Sequence, residues 1–192
     1  GADNWELDFI GFLPGQREGR RDVGDYILAQ QDVESGRRFD DDVAYGGWQI
    51  DNHLPGGFFM SGHSGNHLQK KRLTEPYGIP LYSKNVENLM VAGRNISASH
   101  LAFATTRVMG TCGVLGQAAG TAAALATRYG MTIRQLGEEK IEQLQDILME
   151  DDCFLPGFRR EIGELSKRAK LTCDYGDCSA LHNGLDRRIW GN

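Results

Sequence analysis

Several features that would assign a protein quickly to a class are missing from this sequence. The net charge is −5, with no excess of Lys and Arg, which argues against a nucleic-acid partner. No apolar run is long enough to span a membrane, so no membrane partner is expected. No signal peptide is visible and the first residue is Gly1, so localisation stays open between cytoplasmic and exported. The oligomeric state also stays open.

Cysteine is scarce as well, and the spacing of the four cysteines fits no zinc pattern, so we predict no metal site. His63 and His67 lie in a Gly-rich stretch that is unlike a metal-binding helix. Cys173 and Cys178 would form a disulfide in an oxidising compartment and would otherwise be thiols. For Cys112 we favour buried packing over an approach to a ligand.

Proline is rare but glycine is abundant, at 25 residues, and the glycine positions carry information. A helix is predicted from Thr105 to about Arg128, capped by Thr105 or Thr106 and closed by Gly130. Four glycines share one of its faces: Gly110, Gly113, Gly116 and Gly120. Each costs about 1 kcal/mol relative to alanine. Two explanations are open: the face packs closely on a backbone, so that Gly116→Leu would destabilise the fold, or the N-terminal end of the helix approaches a ligand.

The other elements are shorter. Asn88–Ala92 reads as a buried parallel strand that ends at Gly93, and a loop of about a dozen residues would lead to the long helix. Asp8–Phe12 is apolar and favours a strand. A second helical region is predicted over 132–150, with Thr132 as its cap, and a last short helix within 161–170. Together these indicate an α/β fold, in which ligands bind beyond the carboxyl ends of the strands.

Three stretches carry a family resemblance: 85–100, 106–110 and 116–122. They resemble the C-terminal signature of an FAD-dependent oxidoreductase family with a Rossmann-like FAD domain of the glutathione-reductase type. Two upstream stretches are similar to the same family, 17–26 and 46–55. The resemblance implies the closing part of such a domain, namely a late strand and a glycine-faced helix, joined to part of a substrate domain and C-terminal helices.

The resemblance also implies a cofactor site. Gly93 and Arg94, with Ser97, would lie near the ribityl and pyrophosphate groups of FAD. The residues that would lie near the flavin carbonyl and N1 are Arg107, Val108, Met109 and Gly110. Many related flavoproteins have Asp or Glu where this chain has Arg94, so its contact with the cofactor must differ from theirs.

Candidate substrate-side residues come from the loops. His53, with Asp51 two residues before it, is a candidate base, and a loop-stabilising histidine is the alternative. His100 is a second candidate beside Gly93, again with a structural alternative. Arg20 and Arg21, together with Arg17, could bind an anionic group of the substrate, or else form a solvated turn.

The FAD fingerprint G-x-G-x-x-G is absent, so we expect a C-terminal fragment that binds FAD weakly or not at all and is inactive alone. Its predicted parts are a substrate or cap region at 1–84, the end of the FAD domain at 85–130, a helical extension at 131–170 and the start of a downstream module at 171–192. The parent would transfer a hydride from a small organic substrate to flavin. The alternative is a non-catalytic binding module with a vestigial flavin signature.

Overall fold

The structure, a computed structural model, describes residues 2–12, 20–53, 61, 65–67, 77–79 and 82–185. Helices dominate these residues: α1 (Gln30–Ser35), α2 (His100–Thr106), α3 (Met109–Tyr129), α4 (Ile133–Glu139), α5 (Ile141–Glu150) and α6 (Glu164–Arg168). Four strands of three residues each accompany them: β1 (Ala44–Gly46), β2 (Asp51–His53), β3 (Gly65–His67) and β4 (Tyr77–Ile79). The prediction of an α/β fold is therefore confirmed in its general form, while the Rossmann-like detail stays a prediction.

The described strands form two small antiparallel sheets rather than one parallel sheet. β1 pairs with β4, with Tyr45 opposite Gly78, and β2 pairs with β3, with Asn52 opposite Asn66. The buried parallel strand predicted at 88–92 is wrong for this structure. Met90 makes only an isolated antiparallel bridge to Tyr82, and the segment is partly exposed. A parallel strand needs at least one neighbouring strand that runs in the same direction, and the described residues provide none there.

The predicted long helix is two helices that meet at an angle of 90°. Ser99 caps α2 by accepting a hydrogen bond from the Ala102 amide. The first helix therefore begins at His100, within the predicted loop and five residues before Thr105. Neither Thr105 nor Thr106 is a cap, because both are buried inside α2. The C-terminal prediction is confirmed: Gly130 ends α3 in the left-handed conformation, at φ 64°. No single described helix meets the criteria for a membrane span, and only the bent pair α2–α3 meets them by length and composition.

The glycine face of α3 is open. A Cβ placed on Gly110, Gly113, Gly116 or Gly120 would meet no described heavy atom within 4 Å. The expected close approach is therefore wrong for the described residues. The opposite face provides the packing, through residues at alternating spacings of three and four: Thr111, Leu115, Ala118, Ala122 and Leu125.

One hydrophobic core connects most of the described chain. Its buried members run from Leu28 to Cys153, so they come from three of the four predicted parts, whose boundaries stay a prediction. The helical region predicted over 132–150 consists of α4 and α5, separated at Lys140. Thr132 caps α4 as predicted, and the apolar stripe of α5 packs into the core through Leu144 and Leu148.

The described residues near the two ends of the chain are mostly exposed. Residues 5–12 form no regular element, contrary to the predicted strand, and Trp5 and Phe12 are 84% and 87% exposed. α6 lies within the predicted last helix. A disulfide joins Cys173 to Cys178, followed by a 3-10 turn at Cys178–His182. The downstream module stays a prediction.

Candidate functional site

The ring of Phe103, on α2, is surrounded by three guanidinium groups from separate parts of the chain. Arg21, Arg94 and Arg107 place their Cζ atoms 4.4, 5.1 and 5.6 Å from the ring centroid. Phe103 is 2% exposed, and each arginine is half-buried. Attraction between a cation and the negative face of an aromatic ring favours this arrangement. It brings three residues that the sequence singled out to one place.

Arg21 connects the N-terminal loop to the start of α2. Its Nη1 donates to the carbonyl of Ala98 at 3.1 Å, and its Nη2 lies 3.5 Å from Nδ1 of His100. Arg20, the neighbouring candidate, is exposed. Arg17 lies outside the described residues, as do His63 and the side chain of His67.

His100 is the first residue of α2 and is held at both ring nitrogens. Its Nε2 lies 3.0 Å from Oδ1 of Asn52, on β2. Because an amide oxygen only accepts hydrogen bonds, this contact assigns the proton to Nε2. Nδ1 then accepts from the guanidinium of Arg21. The residue is exposed, and these two contacts fix the orientation of its ring.

Asp51 connects the second candidate histidine to Arg107. Its Oδ2 lies 3.3 Å from Nε2 of His53 and 3.5 Å from Nη2 of Arg107. The same guanidinium nitrogen donates to the Asp51 carbonyl at 2.8 Å. Arg107 is the C-cap of α2, and its side chain is only 16% exposed. The sequence pair Asp51 and His53 therefore lies beside the break between α2 and α3.

The N-terminus of α3 begins at this break. Val108 is its N-cap in an extended conformation, with no side-chain cap, and Met109 is 90% exposed. The first amides of a helix have no partner within the helix and carry the positive end of its dipole. Gly110 adds no side chain that would cover them. This end of a 21-residue helix can accept an electron-rich group.

The residues predicted near the ribityl chain lie on the turn that leads into α2. Gly93 adopts φ 93°, a left-handed conformation that glycine tolerates best. Ser97 donates its hydroxyl to the carbonyl of Tyr26 at 2.7 Å, so this hydroxyl holds the neighbouring segment in place. The assignments of Gly93, Arg94 and Ser97 to a cofactor stay predictions.

Cys112 lies in the first turn of α3. Its thiol is 3.6 Å from the carbonyl of Thr106, and burial raises its pKa, while the charge of Arg94 lowers it. The thiol is half-buried, in keeping with the favoured packing interpretation. Among the residues that the structure describes, no group of three or more His, Cys, Asp or Glu side chains is placed to hold a metal ion.

Sequence reasoning missed two members of this site, Phe103 and Asn52. Phe103 stands three residues after His100 and four before Arg107, a spacing that puts all three on one face of a helix. That signal was hidden because the segment was interpreted as a loop. Asn52 carried no signal beyond its place between Asp51 and His53.

Comparison with known proteins gives one match. The family model for FAD dependent oxidoreductases matches residues 1–148, which is more than half of the chain. No curated protein and no solved structure matches. The family implies FAD as the cofactor of the parent enzyme, and the open N-terminus of α3 provides amide donors of the type that an electron-rich flavin edge requires. The chain belongs to the FAD-dependent oxidoreductase family.

Proposed function

We propose that this chain forms part of an oxidoreductase in which a small organic substrate gives a hydride to FAD at the N-terminus of α3. The observation that carries the proposal is the convergence of Arg21, Asp51, His53, His100 and Arg107 around α2, directly before that N-terminus. These residues are up to 86 positions apart in the sequence, and they lie along α2 from His100 at its start to Arg107 at its end, where the N-terminus of α3 would suit a flavin edge.

FAD supplies the hydride acceptor when it is bound. The first amides of α3 and the guanidinium of Arg107 would hold an electron-rich edge of the cofactor and would stabilise negative charge there. The backbone carbonyl of Asp51 accepts a hydrogen bond from Nη2 of Arg107 at 2.8 Å, and this contact fixes the position of the guanidinium. Asp51 also reduces the net charge that Arg107 presents, since its carboxylate lies 3.5 Å away.

The two candidate histidines differ in what they can do. His100 is engaged at both ring nitrogens, by Asn52 and Arg21, so it orients a group but is poorly placed to take up a proton. His53 contacts only Asp51 among its described partners, through Nε2. A carboxylate in this position fixes the tautomer and stabilises the imidazolium that forms when Nδ1 accepts a proton. His53 is therefore the proposed base, and His100 a positioning residue.

The test compares His53→Gln with His100→Gln in the protein expressed from its complete gene. A spectrum with flavin bands comes first, because a colourless protein would favour the non-catalytic alternative. Reduction of the bound flavin by substrate is then followed by stopped-flow absorbance across pH. His53→Gln should slow this step by about 10²-fold or more and remove the fall in rate at low pH, the acidic limb that a general base produces. His100→Gln should slow it without removing that limb.

The matched control is His182→Gln, a histidine in the tail at the 3-10 turn. Its reduction rate and pH profile should equal those of the wild type. If His53→Gln also behaves like the wild type, His53 is not the base. If His100→Gln removes the pH limb instead, the assignment of the two histidines is reversed and the proposal is wrong in that respect.

A further inference from the structure

Two adjoining cavities lie between the 22–26 segment, the 82–97 segment and α4. Of the residues discussed above for flavin binding or hydride transfer, only Ser97 lines one of them. The larger cavity has a volume of about 330 Å³. Three aromatic side chains line it, Tyr26, Phe39 and Tyr82. Tyr26 and Phe39 meet edge to face, with ring centroids 4.8 Å apart. This is a chamber of a size suited to a small organic group.

The walls of this chamber carry an excess of negative charge. Its lining contains four carboxylates and one guanidinium, a formal charge of −3: Asp22, Asp25, Asp41 and Glu138 against Arg134. Arg134 forms a salt bridge with Asp25, so the other three carboxylates carry the excess negative charge. Aromatic faces and carboxylates both attract a cation and repel an anion.

All three rings of the chamber already interact with cations of the chain. Arg37 lies 5.0 Å from the centroid of Tyr26 and 4.8 Å from that of Phe39, and Arg134 lies 5.9 Å from that of Tyr82. The Tyr82 hydroxyl donates to Oδ2 of Asp41 at 2.5 Å. Burial raises the pKa of Tyr82, so this wall stays a neutral ring at physiological pH.

The smaller cavity, of about 260 Å³, shares Tyr82, Arg134 and Glu138 with the larger one. Ser83 lines it and is 2% exposed. The Ser83 hydroxyl is buried and has no hydrogen-bond partner within the part of the chain that the structure describes. A buried hydroxyl is costly when it is unpaired. It is therefore an independent sign that a polar group of a ligand belongs in this cavity.

We propose that the two cavities together bind a small organic ammonium ion that carries a hydroxyl-bearing arm. The ammonium group occupies the chamber walled by aromatic rings and carboxylates, and the arm reaches the hydroxyl of Ser83. A metal ion is a poorer fit, because it needs several oxygen ligands at 2.0–2.6 Å and the described residues offer no such group. This binding site does not depend on flavin, so its test is separate from that of the proposed function.

The test uses the 192-residue chain and a pair of probes that differ only in charge. Choline is the cation, and 3,3-dimethylbutan-1-ol is its neutral isostere. Binding is measured by calorimetry and by ligand-observed NMR at low salt. We expect choline to bind about tenfold or more tightly than the alcohol, and added salt to weaken choline alone. Equal affinities, or no binding of either probe, would overturn the proposal.

Variants then locate the site. Asp41→Asn should lower the affinity for choline about tenfold and leave the affinity for the alcohol unchanged. Its control is Asp40→Asn, because Asp40 is the neighbouring carboxylate, is exposed and does not line the chamber. Glu138→Gln, on the exposed surface of α4, repeats the test if Asp41→Asn fails to fold. If Asp40→Asn weakens choline as much as the chamber variants do, the chamber is not the site.

The hydroxyl arm has its own comparison. Ser83→Ala should lower the affinity for choline and leave the affinity for tetramethylammonium unchanged, since only choline carries the hydroxyl. If both cations lose affinity equally, the arm does not reach Ser83 and the orientation proposed here is wrong.

Discussion

Gly116→Ala should stabilise this chain, because the glycine face of α3 is open. A Cβ on Gly116 would have no described heavy atom within 4 Å, so the new methyl group meets no steric resistance. Alanine in place of an interior helical glycine gains about 0.8–1 kcal/mol. For a chain of this length, that corresponds to a rise in Tm of roughly 2–4 °C.

Gly24→Ala is the matched control of opposite sign. A Cβ on Gly24 would lie 3.0 Å from the Ser97 Cβ and 3.0 Å from the carbonyl oxygen of Tyr82. Both neighbours are close to the backbone and cannot move away freely, so overpacking should cost about 1–3 kcal/mol. The two substitutions add the same methyl group, and only the space around it differs.

The assay is urea unfolding followed by far-UV circular dichroism for the wild type and both variants. An increase in the midpoint at constant slope for Gly116→Ala, with a decrease for Gly24→Ala, supports the open face. Gly113→Ala should add a similar gain, because its face is open as well. A lower midpoint for Gly116→Ala would refute the reasoning and show that something packs on this face in solution.

Four further predictions concern the cofactor, the charges and the tail. The 192-residue chain alone should bind FAD with a Kd above micromolar, and a fluorescence titration with tighter binding would contradict this. In the protein from the complete gene, Arg107→Ala should lower the flavin reduction potential by a few tens of millivolts, from a charge contact of about 1.5–3 kcal/mol; an unchanged potential with full FAD occupancy would remove Arg107 from the site. Burial, and secondly the neighbouring acids, raise the pKa of Asp146 in the folded chain above its ordinary 3.8, so the ionised carboxylate destabilises the fold once the pH exceeds that raised pKa. Asp146→Asn should therefore raise the Tm at pH 7 but not at pH 3. Equal changes in Tm at the two pH values would contradict this. Reducing the Cys173–Cys178 disulfide should increase hydrogen exchange in the exposed tail and leave the main Tm unchanged, whereas a large fall in Tm would mean that the tail supports the core.

Local signals predicted their elements well. Thr132 and Gly130 cap helices as expected, because a capping side chain or a left-handed glycine acts on amides and carbonyls a few residues away. The apolar stripe of α5 was predictable for the same reason, since its period is set within the helix. These elements depend little on the rest of the chain.

Non-local structure was predicted poorly. The segment at 88–92 has the composition of a buried strand, but the described residues offer it only Tyr82 as a bridge partner. The glycines of α3 suggested a close neighbour, yet their periodicity cannot tell which side of the helix the core occupies. The bend between α2 and α3 was hidden as well, because Val108 carries no strong helix-breaking signal.

The candidate site was predicted residue by residue but not as an assembly. Asp51, His53, His100 and Arg21 were singled out for their chemistry, and Arg107 was singled out by the family resemblance. Two of them, Arg21 and Arg107, meet at the buried ring of Phe103, a residue with no reactive group. The other three are held by polar contacts, His100 with Arg21 and Asn52, and Asp51 with His53 and Arg107.

The helix that carries this arrangement could not form on its own. α2 has seven residues, and isolated helices of fewer than about 12 residues are marginal in water. It is stabilised by tertiary burial, since the run from Ala102 to Thr106 is buried without interruption. His100 begins the helix and Arg107 caps its other end, which separates them by about 10 Å along the axis at 1.5 Å per residue. The core therefore sets the spacing between the histidine end and the proposed flavin end of the site. A change that loosens the packing of α2 would alter that spacing before it removed any reactive group.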